Sequence, residues 1–293
     1  MTWNPAPSPL DRLPEQWPDR AYSSFHTVGA VRWHVQQQGD GPTVLLLHGT
    51  GGSTHSWAAC TASLARRYRV VAIDLPGHGF TQAADPAARA HQPFALAEMA
   101  TAVAALLRHL DVLPRFAVGH SAGMPVLMQL ALQRDIVPQH LLGVCPAIVA
   151  PPTWYVQLLA PVLAAVVESD AVAASGAWAA QRTPLVRLML QSAGSPLTAP
   201  QLARYEWLCR QPDHVHAALS MMSRWDLPAL MREAATLCTP LTLLAGRADR
   251  WVPLPALRRA ARRLPAATLV DVPGGHLLPE EHPDEVLARI EGP

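Results

Sequence analysis

The sequence contains no lysine: all 23 of its basic residues are arginine. A lysine Schiff base is therefore excluded as its chemistry. An excess of charge is also missing, since 23 basic residues face 22 acidic ones for a formal net charge of +1. Nothing in that balance draws the chain to nucleic acid or to an anionic bilayer, and no nucleic acid is expected as a partner. Charged residues make up only 15% of the chain and hydrophobic ones 50%, which excludes general disorder. Cysteine is scarce too. Cys60, Cys145, Cys209 and Cys238 stand far apart without a C-x-x-C pair. Neither a zinc site nor a disulfide framework follows, and the four are expected as buried thiols in a reducing compartment. No G-x-G-x-x-G or G-K-S/T sequence is present, which leaves nucleotide binding as the weak alternative wherever glycines cluster. The N-terminus lacks the basic and apolar regions of a signal peptide. The longest apolar stretch, Val156 to Val167, includes Gln157 and Pro161 and is too short to span a bilayer, although it could lie on one.

What is present in its 293 residues is alternation of strand and helix patterns. Residues 1–22, rich in Pro and Trp, are expected to drape over the surface. Val31, Trp33 and Val35 alternate with polar residues as in a half-buried strand. Continuous apolar runs at Thr43–Leu47, Arg69–Ile73, Phe116–Val118, Leu141–Val144, Leu241–Leu244 and Thr268–Val270 predict strands covered on both faces. Leu96, Met99, Val103, Leu106 and Leu110 share one helical face, and Trp57, Leu64 and Tyr68 fit another. Such alternation predicts a mostly parallel, twisted sheet flanked by helices. The strand runs vanish between about Ala147 and Leu230, where helical segments are broken by Pro151-Pro152, Pro161, Pro184, Pro196 and Pro200. The expected organisation is a core of residues 1–146 and 231–293, with a helical cap of residues 147–230 inserted into it.

Gly119-His120-Ser121-Ala122-Gly123 follows the strand Phe116–Val118 and precedes the apolar helix Val126–Leu132. This is G-x-S-x-G in the strand–turn–helix setting that makes Ser121 a candidate nucleophile. A serine hydroxyl needs a base, and the base an orienting acid. Asp249 follows the strand Leu241–Leu244 and His276 the strand Thr268–Val270, so all three sit where open α/β sheets build their sites. The charge that develops on a carbonyl oxygen needs donors, and His48-Gly49-Thr50-Gly51-Gly52 after Thr43–Leu47 offers the Thr50 N–H beside that of Ala122. Asp74-Leu75-Pro76-Gly77-His78-Gly79 reads as a tight loop near the pocket, with His78 and His120 more structural than reactive. His34, His48 and His55 have neither i,i+4 spacing nor an acidic companion, so no metal is expected. Arg258, Arg259, Arg262 and Arg263 read as a solvated helix face. The 147–230 segment carries Trp154, Tyr155, Trp178, Tyr205, Trp207, Met221, Met222 and Trp225. Of these Trp154, Trp207, Met221, Met222 and Trp225, with His120, are the candidate walls of an apolar substrate pocket.

With these residues placed, the chain resembles the α/β-hydrolase superfamily over nearly its whole length. Several segments are similar to one branch, the magnesium-chelatase accessory proteins of bacteriochlorophyll biosynthesis. They are Trp33-His34-Val35-Gln36, His48 to Gly51 running into Ser53-Thr54-His55-Ser56-Trp57, Asp74 to Thr81, and Val118 to Gly123. His214-Val215, Met221-Met222 and Trp225-Asp226-Leu227 continue the likeness. Cys145-Pro146 and Leu278-Pro279 before Glu280-Glu281 depart from it. The resemblance implies a cytoplasmic protein of a photosynthetic bacterium, acting around insertion of Mg²⁺ into protoporphyrin IX. It implies magnesium-chelatase subunits and a porphyrin or its ester as partners; from the residues themselves a small apolar ligand, peripheral membrane contact through the cap and no cofactor are expected. Three readings remain open here: a hydrolase with a magnesium-chelatase accessory role, a general serine esterase acting on an apolar ester unrelated to tetrapyrroles, and a non-catalytic accessory protein that holds a tetrapyrrole.

Overall fold

The computed structural model of the chain describes residues 13–85, 88, 91–149 and 169–292. Nine strands form one sheet: β1 (Ser23–Val28), β2 (Val31–Gln38), β3 (Thr43–Leu47), β4 (Arg69–Ile73), β5 (Gln82–Ala83), β6 (Phe116–His120), β7 (His140–Val144), β8 (Leu241–Gly246) and β9 (Ala267–Val272). They lie in the order β1-β2-β4-β3-β6-β7-β8-β9, with the short β5 paired to β2. From β4 through β9 every neighbouring pair on this path is parallel, while β2 runs antiparallel to β1, β4 and β5.

Side-chain alternation along each central strand feeds two cores. In β3, Val44 and Leu46 join Trp57, Val70, Ala72, Val118 and Leu142 on one face. Leu45 and Leu47 join Val71, Ile73, Ala117, Leu141 and Leu243 on the other. The helix α2 (Leu96–His109) covers that second face with Leu96, Met99, Val103 and Leu106, as its 3.6-residue period requires. Trp57, Leu64 and Tyr68 are all buried in the first core, but not on one helix. Trp57 ends a 3₁₀ turn, α1 covers only Ala58–Leu64, and Tyr68 follows it.

Between β7 and β8 the described helices are α4 (Asp170–Arg182), α5 (Leu185–Ser192), α6 (Ala199–Cys209), α7 (Pro212–Arg224) and α8 (Leu227–Glu233). The expected boundary at residue 230 falls inside α8, whose Leu230 and Met231 belong to the sheet core. The stretch Val156–Val167 and Trp154 lie outside the described residues. No helix of the described residues is long and apolar enough to cross a membrane.

Two expectations are corrected by burial. Leu13 and Trp17 do not drape over the surface: Trp17 is wedged among His55, Phe80 and Trp207, because an indole hides more apolar area there than solvent would allow. Of the cysteines, Cys60 and Cys145 are buried, but Cys209 is only partly covered and Cys238 is exposed.

Candidate active site

Ser121 sits between β6 and α3 (Gly123–Leu132) with a left-handed φ of 49°. The turn is sharp because its glycines admit close contacts that a side chain would forbid. A Cβ on Gly123 would lie 2.2 Å from the Leu47 carbonyl oxygen, and one on Gly119 2.5 Å from the Met124 nitrogen. The Ser121 N–H is anchored to the Val144 carbonyl of β7 at 2.9 Å. Its hydroxyl is thereby raised from the sheet edge, at a cost in backbone strain.

Asp249 and His276 converge on it from the ends of β8 and β9. The Asp249 Oδ1 accepts the N–H groups of Trp251 and Val252 at 2.8 and 2.9 Å, and its Oδ2 accepts His276 Nδ1–H at 2.8 Å. With the ring proton on Nδ1, Nε2 is left to accept from Ser121 Oγ–H at 2.9 Å. Both Asp249 and His276 are buried. His120 donates Nε2–H to the His276 carbonyl at 2.9 Å, and burial, reinforced by neighbouring His276, pushes its pKa down to about 3. It is a neutral strut beneath the base.

The loop after β3 lies directly against the serine: a Cβ on Gly49 would come within 2.7 Å of the Ser121 Cβ. His48 fixes this loop. Its Nε2 accepts the Leu75 N–H at 2.9 Å, so Nδ1 carries the proton and donates to the Gly49 carbonyl at 2.7 Å. Gly52 N–H reaches the same carbonyl at 3.0 Å. In a planar trans peptide the Thr50 N–H must point opposite to that tethered oxygen. Ala122 is the buried residue at the start of α3.

Beneath this loop Asp74 is fully buried, bonded to His34 Nδ1 at 2.7 Å and to the N–H groups of Thr54 and Phe80. Burial alone would raise its pKa, but attraction to His34, that hydrogen bond, His48 and the Phe80 N–H hold it well below the carboxylate range. His34 therefore does have an acidic companion, 40 residues away in sequence, and the pair shapes the loop. Asp74 is the tight-loop residue that its setting suggested, since Gly79 closes onto its carboxylate.

A cavity of about 40 Å³ opens at Ser121, lined by Gly49 to Gly52, Ser56, His120, Met189, Leu190, Tyr205, Trp251, His276 and Leu277. Thr50 and His120 are among these lining residues. Four other expected pocket walls lie elsewhere. Trp207 stacks on Trp17 and Phe80, Met221 is buried in the sheet core, and Trp225 packs on that core with its indole N–H on the Phe94 carbonyl. Met222 is 68% exposed. Successive residues on a helix diverge by about 100°, so Met221 and Met222 cannot both face one pocket. Among the described residues between β7 and β8, Tyr205 is the aromatic that reaches the cavity. Its hydroxyl donates to Glu280 Oε1 at 2.6 Å, and burial pushes Glu280 up to about 7. Trp251 follows Asp249 by two residues, which is the signal that could have placed it beside the acid.

The helices between β7 and β8 also hold the site together. The His276 N–H donates to the Ala193 carbonyl at 3.1 Å, and the Leu277 N–H to Ser195 Oγ at 2.9 Å. His214 of α7 accepts the Gly79 N–H at Nδ1 and donates Nε2–H to the Gly51 carbonyl, each at 3.1 Å. Sequence reading missed Ala193 and Ser195 entirely. Among the described residues, Cys145 Sγ, Asp249 and His276 offer metal-type atoms within 4.8 Å of one another. However, Asp249 and His276 are committed to each other, and burial holds the Cys145 thiol far up, in its protonated form.

A family model described as the alpha/beta hydrolase family matches residues 44–289. The chain is 36% identical over 288 residues to the magnesium-chelatase 30 kDa subunit of Rhodobacter capsulatus, covering 95% of this chain and 96% of that one. Among solved structures, an alpha/beta hydrolase fold protein from Burkholderia ambifaria superposes with a TM-score of 0.74 at 25% identity, over 91% of this chain and 96% of that one. An esterase from Exiguobacterium antarcticum shares the fold with a TM-score of 0.72 at 15% identity, over 90% and 96%. The chain belongs to the alpha/beta hydrolase family and, over nearly its whole length, is a homologue of the magnesium-chelatase 30 kDa subunit.

Proposed function

We propose that the protein is a serine hydrolase acting on an apolar ester in the service of magnesium chelation, with Ser121, His276 and Asp249 as its catalytic triad. The observation that carries this reading is the unbroken relay from Ser121 Oγ through His276 to Asp249, at 2.9 and 2.8 Å. In the first step Ser121 Oγ attacks the ester carbonyl carbon as its proton passes to His276 Nε2. The Thr50 and Ala122 N–H groups then hold the carbonyl oxygen as it becomes an oxyanion. His276 returns the proton to the departing alcohol. Water, deprotonated by the same nitrogen, releases the acid and regenerates Ser121. We read the segment from residue 147 to about 230 as a cap whose last helix, α8, is shared with the core; it contributes Met189, Leu190 and Tyr205 to the cavity wall.

The kinship with a chelatase subunit favours a second reading, in which the protein assists the chelatase subunits in the cytoplasm by holding a porphyrin. The cavity speaks for the hydrolase. About 40 Å³ admits an acyl group, whereas sites for drug-sized ligands run to hundreds of Å³. A fluorophosphonate probe should label wild-type protein and fail to label Ser121→Ala; equal labelling of both would refute the assignment. Saturable quenching of tryptophan fluorescence by protoporphyrin IX without any labelling would favour the second reading.

A further inference from the structure

We infer that the outer face of α5, together with Trp251, is a docking surface for an anionic lipid bilayer, placed at the mouth of the Ser121 cavity. Single exposed apolar side chains need no explanation, but contiguous ones do. On α5, Leu185, Leu188, Met189 and Ser192 recur at i, i+3, i+4 and i+7 and so share one face. Val186 and Leu190 face the other way and are buried. The outward three are 49%, 58% and 43% exposed, and Trp251, 41% exposed, is tied to the same helix by its indole N–H on Ser192 Oγ at 3.0 Å. Met189 and Trp251 also line the cavity. The apolar strip therefore runs up to the opening through which a substrate would reach Ser121.

The charge along the segment that carries α5 has one sign. From Ala171 to Tyr205 there is no acidic residue, while Arg182, Arg187 and Arg204 fall within that span. On the helical wheel Gln191 separates the exposed Arg187 from the apolar strip, on the side away from Trp251, and the exposed Arg250 precedes Trp251. Arginines flanking a strip of Leu, Met and Trp are the composition of a helix that lies in a membrane interface, its cations among anionic headgroups. Docking of this face stands on the surface alone. Delivery of an apolar ester from the bilayer into the cavity rests, in addition, on the hydrolase reading.

The test is co-sedimentation of the full chain with vesicles of phosphatidylcholine alone, or of phosphatidylcholine mixed with phosphatidylglycerol. Wild type should pellet with the anionic vesicles, less so at high salt, and hardly with the neutral ones. Leu185→Asp combined with Leu188→Asp should abolish pelleting. Arg187→Gln with Arg250→Gln should weaken it by about tenfold or more, since each arginine near an anionic surface contributes about fivefold. Leu185 and Leu188 do not line the cavity, so the aspartate variant should keep wild-type turnover of a water-soluble short ester. That control separates the two claims, because pelleting is read without any activity. Failure of wild type to pellet with anionic vesicles would overturn the inference, as would equal pelleting of the aspartate variant. A wild-type dimer in solution that the same variant dissociates, without vesicle binding, would assign the face to a second copy and overturn it too.

Discussion

Replacing Asp249 by Asn separates the role of its charge from the role of its shape. Oδ1 accepts two backbone N–H groups, from Trp251 and Val252, so in Asp249→Asn the amide oxygen must stay there. Turning the side chain over would set an NH₂ group against two donors. The NH₂ is thus directed at His276 Nδ1, which Asp249 Oδ2 meets at 2.8 Å in the native protein. Facing a donor, Nδ1 has to accept, and the ring proton moves to Nε2, where it points at Ser121 Oγ. His276 then holds its proton on the nitrogen that should remove one. The same tautomer reversal in a serine protease triad lowers kcat about 10⁴-fold, which corresponds to about 5.5 kcal/mol of transition-state stabilisation. The variant should remain folded, since size and most hydrogen bonds are kept. Initial rates on p-nitrophenyl acetate, paired with a thermal melt by circular dichroism, measure both. Turnover within about tenfold of wild type in a folded variant would refute the reasoning and transfer the orienting role to another carboxylate.

Three further outcomes are expected. Gly123→Ala should cost about 1–3 kcal/mol in a urea melt and reduce fluorophosphonate labelling, because the new Cβ would meet the immovable Leu47 carbonyl at 2.2 Å. Burial, the leading cause in each, lowers His55 and His120 to about 3 and His214 to about 4. The unfolded chain then binds more protons than the folded one below about pH 6.5, so stability should fall steadily from there toward pH 4; a flat urea midpoint over that window would refute it. Glu280 is raised to about 7, so here the folded state holds the extra proton, and its contribution is lost as pH rises from about 4.5 to 7. Glu280→Gln should therefore gain in melting temperature over wild type across that interval, and an unchanged difference between pH 4.5 and 8 would count against a buried neutral Glu280.

How much of this was legible in the chain depended on how local the cause was. Strands buried on both faces need unbroken apolar runs, so Thr43–Leu47 and Leu241–Leu244 could be read directly. The edge strand Ser23–Val28 could not, since its side chains are half covered and carry no alternation. Ser121, Asp249 and His276 were legible because each follows a strand, and strand ends are where a parallel sheet gathers its loops. Pocket walls were not. Trp207 and Trp225 are apolar enough for a pocket, yet which aromatic reaches the cavity is decided by helix rotation and by contacts such as Trp17 with Trp207, across 190 residues of sequence. The pairing of His34 with Asp74 was invisible for the same reason: β2 and the loop after β4 meet only once the sheet has formed.

The helices between β7 and β8 are more than a cover. The backbone N–H of the base is bonded to the Ala193 carbonyl and that of the following Leu277 to Ser195 Oγ, and Gly194 fits against the Ala248 carbonyl, beside the acid, so closely that a Cβ there would stand 2.2 Å away. His214 ties the Gly51 carbonyl, in the oxyanion loop, to the Gly79 N–H. Three of the four loops that the proposed chemistry requires, those of the acid, the base and the oxyanion donors, are therefore fastened to one helical layer. Lifting that layer from the sheet would break the bonds that set His276 and the Gly49–Gly52 loop in place, and the relay would be lost as the cavity opened. Rotation of Met189 or Trp251 at the mouth breaks none of the bonds to the His276 backbone. Access compatible with catalysis is by side-chain movement at the rim, beside the exposed face of α5, and not by removal of the helices.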